Sequence, residues 1–152
     1  MTATVASAAS TDEVVTFRVG SQWFGIHVLE VQEVMVQQRI ARVPLAAPGV
    51  AGLLNLRGQI VTAIDLYQRL EISPGTSEPL MNVVVRNGDE LFALIVDEVG
   101  DVTVIPSHAI RRLPANLAGA WARICTGVVE MDHGVLAIVD VTHLLDESNT
   151  CP

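Results

Sequence analysis

Reactive groups are scattered along this chain rather than gathered. Its four histidines, His27, His108, His133 and His143, make no close pair at metal-ligand spacing, and Cys125 and Cys151 stand far apart. His27 alternates within an apolar strand-like run, where a packed or rim histidine is expected, and His133 falls in a turn. Ser21, Ser73, Ser77, Ser107 and Ser148 lie in turns or tails, with no strand-to-helix elbow that would raise a nucleophile. The chain holds no Walker loop and no Gly-x-Gly-x-x-Gly run, and Gly49-Val-Ala-Gly52 resembles a nucleotide clamp in letters only. Glu30 with Glu33 and Asp97 with Glu98 are acidic pairs, but neighbours on a strand face opposite sides, so Asp97 and Glu98 share no site. All nine basic residues are arginine, which excludes Schiff-base and phosphate-gripping lysine chemistry. The expectation is no catalytic residue, no metal and no cofactor.

One polar motif does stand out within apolar sequence, Gly52-Leu53-Leu54-Asn55-Leu56-Arg57-Gly58. Arg57 falls in a tight turn, where its stem can lie on apolar surface while its rigid fork of donors stays free. Glu33, in an apolar strand of the same half, is its candidate partner. Two roles stay open: an ion pair that fixes the fold, or a polar anchor at a protein interface, where arginine is enriched. A second pattern is Val28/Val31/Val34 and Val96/Val99/Val102, valines three apart with polar residues between. A regular strand cannot put i and i+3 on one face, so a turn or bulge is expected inside each segment. Most of these valines are expected to fill core. Any left exposed between the halves would form an apolar groove suited to a helix.

The elements that must position these residues are mostly strands. Val14 to Val19 and Trp23 to Val28 flank a Gly20 turn, and Val31 to Val36 and Gln59 to Ile64 follow. Met81 to Val85 and Glu90 to Val96 flank an Asn87-Gly88 turn, Asp101 to Ile105 is another strand, and Gly127 to Met131 and Val135 to Val139 form a last hairpin. Short helices are expected at Pro48–Leu54, Asp65–Leu70, Pro114–Trp121 and Asp140–Leu145, the second and fourth opened by a capping Asp. Glu71 to Pro79 reads as a loop.

The pattern occurs twice. Gly20 to Val31 lies over Gly88 to Val99 at an offset of 68, and Gly52 to Asp65 lies over Gly127 to Asp140 at an offset of 75. Each half therefore reads as hairpin, strand, loop, hairpin and short helix. Curling such a set into a small barrel removes most open edges, and two barrels can bury apolar faces against each other.

Composition fits a packed core. The chain has 152 residues, 50% of them hydrophobic, and mean hydropathy +0.43. A net charge of −8 argues against nucleic acid and anionic membrane surfaces. Residues 1–76 carry six acids and five arginines; residues 77–152 carry eleven acids and four arginines. The acidic second half either steers a basic partner or serves solubility. The N-terminal stretch has neither the basic region nor the apolar run of a signal peptide, and Val43 to Leu56 is too broken and short to span a membrane. With two cysteines and no disulfide framework, a reducing cytoplasm fits.

Taken in order, these motifs resemble the CheW family of chemotaxis coupling proteins, from about Val14 to Leu145. Val28-Leu29-Glu30-Val31-Gln32-Glu33-Val34 is similar to the family's I-x-x-V-x-E-V/I segment, and Gly52 to Gly58 to its G-x-x-N-L-R-G signature. Ile64-Asp65-Leu66 resembles its I-D-L close, and Leu94 to Val102 its L-x-V-D-x-V-x-D-V segment. The resemblance implies an all-β fold: two five-stranded SH3-like barrels packed around a shared hydrophobic core, with a few short helices. It implies one CheW-like domain, 14–146, of two interleaved barrels, between a stretch at 1–13 that reads by composition as a disordered N-terminal tail and a flexible C-terminal tail at 147–152. It implies a non-catalytic adaptor between chemoreceptor cytoplasmic tips and the regulatory domain of a CheA-type histidine kinase, in the cytoplasm at receptor arrays on the inner face of the membrane. Receptor helices would lie in the groove between barrels and kinase domains at barrel ends.

Carried over by motif, Glu33 and Arg57 lead the partner-binding residues, with Asn55 and Leu56 beside them and Val28, Val31, Val99 and Val102 as apolar groove candidates. Thr62-Ala63 stands where the family usually has a proline, which is expected to loosen that strand end. Rival readings are a coupling protein of a related pathway for surface motility or biofilm formation, a small-molecule-binding double barrel, and a hydrolase using His27 or His133.

Overall fold

The computed structural model describes residues 10–44, 46–73, 81–114, 119–132 and 134–146. Residues 1–9 and 147–152 of the expected tails, most of the loop expected at 71–79, and His133 lie outside the described residues. The first strand, β1 (Thr11–Val19), begins before Val14 because Thr11, Asp12 and Glu13 pair with Pro106, Ile105 and Val104. It turns at Gly20, φ +64°, into β2 (Gln22–His27). A 3₁₀ turn at Val28–Glu30 leads to β3 (Val31–Val36), and β4 (Val50–Leu56) pairs with β5 (Gln59–Asp65). Asp65 caps α1 (Leu66–Arg69), its side chain accepting from the Tyr67 and Gln68 N–H groups at 3.0 and 3.3 Å.

The second half follows the same plan. β6 (Met81–Asn87) turns at Gly88, φ +65°, into β7 (Glu90–Val96). After Asp97 come β8 (Glu98–Pro106), α2 (Ala120–Ile124), β9 (Cys125–Met131) and β10 (Gly134–Val139). Asp140 caps α3 (Val141–Leu145).

The repeats are not the sheets. One sheet runs β8-β1-β2-β10-β9 and the other β3-β6-β7-β5-β4. We call them sheet I and sheet II. Each takes the first hairpin of one repeat and the last three strands of the other. Exchanging β1 with β6, β2 with β7, β3 with β8, β4 with β9 and β5 with β10 converts one order into the other. In both, the first hairpin joins the second through a parallel pair, β2 with β10 and β7 with β5, and pairs antiparallel with the fifth strand on its other side, β1 with β8 and β6 with β3. The chain crosses between sheets at the 3₁₀ turn after β2 and at Asp97 after β7, inside the two segments whose valine spacing required a break.

Neither ladder closes into a complete barrel. Each is joined across its gap by one isolated bridge, Ala41 with Leu53 in sheet II and Arg111 with Val128 in sheet I. Both bridges carry two backbone hydrogen bonds of 2.7–2.8 Å. The repeated glycines explain themselves here. A Cβ on Gly52 would lie 2.3 Å from the Ala41 carbonyl oxygen, and one on Gly127 2.8 Å from that of Arg111. Only a residue without a side chain lets the passing strand come that close.

Alternation sorts the side chains into three cores. Leu54, Val61, Val84 and Ala93 fill the interior of sheet II, and Val14, Val129, Leu136 and Ile138 that of sheet I. The largest cluster joins both sheets and includes Phe17, Phe24, Leu66, Leu94 and Leu144. Phe17 and Phe24 stack at 5.7 Å, and Trp121 closes on Phe24 at 5.4 Å. Fully burying each such side chain contributes about 1.5–3 kcal/mol, so the shared core ties the sheets into one unit.

Two local expectations fail. The helix expected at Pro48–Leu54 is strand β4, because Leu54 and Leu56 alternate into the sheet II core while β5 supplies the backbone partners. Thr62 and Ala63 do not loosen their strand, since both pair with β4 on one side and β7 on the other. Without proline, their N–H groups remain available to the ladders.

Candidate functional site

The turn between β4 and β5 is built to present a guanidinium. Its two central residues, Arg57 and Gly58, have φ +50° and +89°, the positive values that a two-residue hairpin turn of the primed type requires. The exposed Asn55 side chain steadies the bend, accepting from the Gly58 N–H at 2.7 Å. Leu56 points inward and is buried in the sheet II core. Arg57 is thus held in a backbone region that side chains seldom adopt, on a turn anchored by its neighbours.

Glu33 comes from the opposite edge of the same sheet. It stands across from Val84 in the β3–β6 ladder, on the row that faces the sheet II core. Its carboxylate reaches over the gap between β3 and the β4–β5 turn and takes both tips of the Arg57 fork. Nη1 donates to Oε2 at 3.0 Å and Nη2 donates to Oε1. The hydrogen bond from Arg57 holds the Glu33 carboxyl below the usual carboxylate range; desolvation opposes this and the guanidinium charge adds to it. The same contact raises Arg57 above its ordinary value. The Arg57 side chain is 69% exposed and that of Glu33 26%. An ion pair this open to water adds little to stability. What the clamp supplies is a pre-aimed, accessible guanidinium at one end of the sheet II barrel.

The apolar candidates divide. Val28, Val31 and Val99 are half-buried against the shared core. Val102 lies opposite Val15 at the rim and is 52% exposed. Its repeat counterpart Val34, opposite Val83, is also exposed, and Leu29 in the crossover turn is 96% exposed. Val34 is thus one of the patterned valines left exposed, and Leu29 is an exposed apolar residue that the sequence pattern did not single out. His27 stands at the rim, 4.0 Å from Asp12. Burial pushes the neighbouring Glu30 carboxyl up, with His27 opposing and Asp140 adding to the shift.

A second polar feature escaped sequence reasoning. Asp97 is buried at the crossover between β7 and β8, where its Oδ2 accepts from the Gly20 N–H at 2.6 Å and from the Tyr67 hydroxyl. Its own N–H donates to the Arg18 carbonyl at 2.9 Å. Tyr67 is pushed up to about 12, first by burial and then by the hydrogen bond to, and charge of, Asp97. The clue in the sequence is that Asp97 replaces the apolar Leu29 of the first repeat. Arg69, also buried, donates to the Leu144 and Asp146 carbonyls at 3.0 and 3.2 Å, tying α1 to the end of α3.

Among the described residues, no group of three or more His, Cys, Asp or Glu is placed to hold a metal ion. No helix among them is long and apolar enough to cross a membrane. Two SH3-like sheets of five strands, sharing one core and carrying a bidentate ion pair across the edges of one of them, define the class of doubled β folds. The CheW-like domain model matches residues 13–149, and the chain belongs to that family.

Particular relatives agree. The chain is 30% identical over 135 residues to "Chemotaxis protein CheW" of Klebsiella aerogenes, covering 88% of this chain and 81% of that one. It is 28% identical over 137 residues to the protein of the same name from Treponema pallidum, covering 87% and 81%. The crystal structure of the scaffolding protein TtCheW from Thermoanaerobacter tengcongensis superposes with a TM-score of 0.79 at 25% identity, covering 90% of this chain and 94% of that one.

Proposed function

We propose that this protein is a non-catalytic adaptor that couples chemoreceptor cytoplasmic tips to a CheA-type histidine kinase in chemotaxis signal transduction. It works in the cytoplasm, at receptor arrays on the inner face of the membrane. The observation that carries the reading is the Glu33–Arg57 clamp, which lies in two of the family's motifs and leaves the guanidinium open to a partner. The kinase regulatory domain meets the barrel end at Arg57, with Asn55 holding the turn and Leu56 supporting it from the core. Receptor helices lie along the apolar rim that Val28, Val31, Val99 and Val102 edge. The adaptor transmits receptor state by holding both partners in fixed relative geometry, without chemistry of its own.

The test is co-purification of the cognate kinase regulatory domain and a receptor fragment with wild-type protein and with Arg57→Ala. The adaptor reading expects the folded variant to lose kinase association. Equal recovery of both partners by a folded variant refutes the role given to Arg57. A variant that fails to fold returns Arg57 to a purely structural part.

A further inference from the structure

The β6–β7 hairpin carries a pair of residues whose chemistry its repeat counterpart lacks. Asn87 is the only asparagine of the chain followed by glycine. It is half-buried and forms the last rung of the β6–β7 ladder, opposite Glu90, so Gly88 and Asp89 make the turn. Gly88 is exposed at φ +65°, and a Cβ placed on it would meet nothing within 4 Å. Among the described residues, nothing accepts a hydrogen bond from the Gly88 N–H and nothing holds the Asn87 side-chain amide.

The corresponding hairpin of sheet I, 68 positions earlier, is closed to the same chemistry. There Val19 precedes Gly20, and the Gly20 N–H donates to Asp97 at 2.6 Å. The position of Asp97 is held in the first repeat by Leu29, which is 96% exposed and has no acceptor in its side chain, so the Gly88 N–H gains no such partner. The other described asparagines are protected. Asn55 accepts from the Gly58 N–H and precedes Leu56. Asn82 is buried, accepts from the Gln38 N–H, donates to the Gln37 side chain and precedes Val83. A side chain on the following residue crowds its backbone nitrogen, and glycine removes that obstacle.

We propose that Asn87 is a modification site, which deamidates through a cyclic imide with Gly88 and places a new carboxylate at the barrel end that carries Arg57. The Gly88 nitrogen gives up its proton to base and attacks the Asn87 Cγ. The N–Cγ bond forms, the Cγ–Nδ2 bond breaks, and the amide takes up a proton and leaves as ammonia. Water then opens the imide at either carbonyl, giving aspartate or isoaspartate with no change in oxidation state. Only the exposed end rung, Asn87 with Glu90, must open for the attack, and such end rungs open at little cost. The new charge falls beside Asp89 and Glu90, and isoaspartate also lengthens the backbone at that rung. β5 and β7 run parallel with Thr62 opposite Phe92, so the turns that precede them project from the same end of sheet II. The added carboxylate therefore enters the field around the Glu33–Arg57 clamp. This chemistry requires neither kinase nor receptor and stands apart from the coupling role.

The test ages the folded full-length protein in mildly alkaline buffer and maps its tryptic peptides by mass spectrometry. Trypsin cuts after Arg86 and Arg111, so Asn87 is the sole asparagine of its peptide. That peptide is expected to gain about one dalton and to split into aspartate and isoaspartate forms of different retention. The gain should come faster at higher pH, while the peptides of Asn55 and Asn82 stay unchanged. Asn87→Gln, which would need a larger ring, and Gly88→Ala, which crowds the attacking nitrogen, should each cut the loss severalfold; Asn87→Gln keeps the comparison open if Gly88→Ala does not fold. The Arg57 backbone and guanidinium NMR signals should shift in the aged protein and in Asn87→Asp. An intact Asn87 peptide after native ageing overturns the proposal. Loss at Asn55 and Asn82 at the same rate also overturns it, because it marks unfolding rather than an exposed turn. Deamidation that leaves the Arg57 signals unmoved overturns the link to that barrel end.

Discussion

Asp97→Asn removes one negative charge from the crossover into sheet I while keeping the side chain's shape. In the native protein one carboxylate oxygen accepts from both the Gly20 N–H and the Tyr67 hydroxyl. Hydrogen bonds to a charged acceptor contribute about 1.5–3 kcal/mol, against about 0.5–1.5 for neutral ones. For two half-buried bonds the neutral amide should cost about 2 kcal/mol. In a chain of this length that lowers Tm by about 4–8 °C. A sharper readout exists because Tyr67 is the sole tyrosine. Tyrosinate absorbance therefore titrates one group, which should ionise near 12 in the native protein. In the variant its midpoint falls but stays above the ordinary value near 10, because burial, the largest cause of the shift, remains. The raised value also sets a pH window. The stabilisation it represents is complete below the unfolded value near 10 and is lost as pH climbs to about 12, so alkaline unfolding tracks this titration. An unchanged midpoint in a folded Asp97→Asn protein would refute the claim that Asp97 holds the tyrosine proton.

Arg57→Ala should return the Glu33 carboxyl from its lowered value toward the ordinary range, visible in side-chain carboxyl NMR, with little change in Tm. In the native protein the clamp holds at neutral pH and is lost as pH falls through the lowered Glu33 value. Gly127→Val should destabilise the fold by about 2–4 kcal/mol in urea titration, because its side chain would meet Ile110 and the Arg111 carbonyl; a variant of native stability would show that the strand can retreat. Cys125 is buried, and burial pushes its thiol up to about 12, so in a Cys151→Ser background a thiol reagent should react only at the rate of unfolding. Fast labelling under native conditions would contradict that burial.

Much of this architecture is written locally. Gly20 and Gly88 sit at hairpin turns because positive φ suits glycine, Asp65 and Asp140 cap helices by their side-chain oxygens, and the repeat offsets of 68 and 75 mark equivalent strands. The Glu33–Arg57 partnership was legible for a similar reason, since an arginine held in a tight turn and an acid on an otherwise apolar strand of the same half are the natural opposite charges to meet. Strand β4 was misread because its break at Pro48 and Gly49 resembles a helix start, and the β5 partner that decides the matter is supplied only by folding.

Chain pattern alone settled that the molecule is doubled and β-rich. It left open which sheet receives each strand, because alternation says which side of a strand is apolar and is silent on which edge accepts it. Packing made that choice, sending β3 and β8 across to the partner hairpins so that one core serves both sheets. The same choice buried Asp97 against Tyr67 and left the sheet I barrel end open. Both outcomes depend on contacts between residues tens of positions apart, which exist only once the two repeats have been folded through each other.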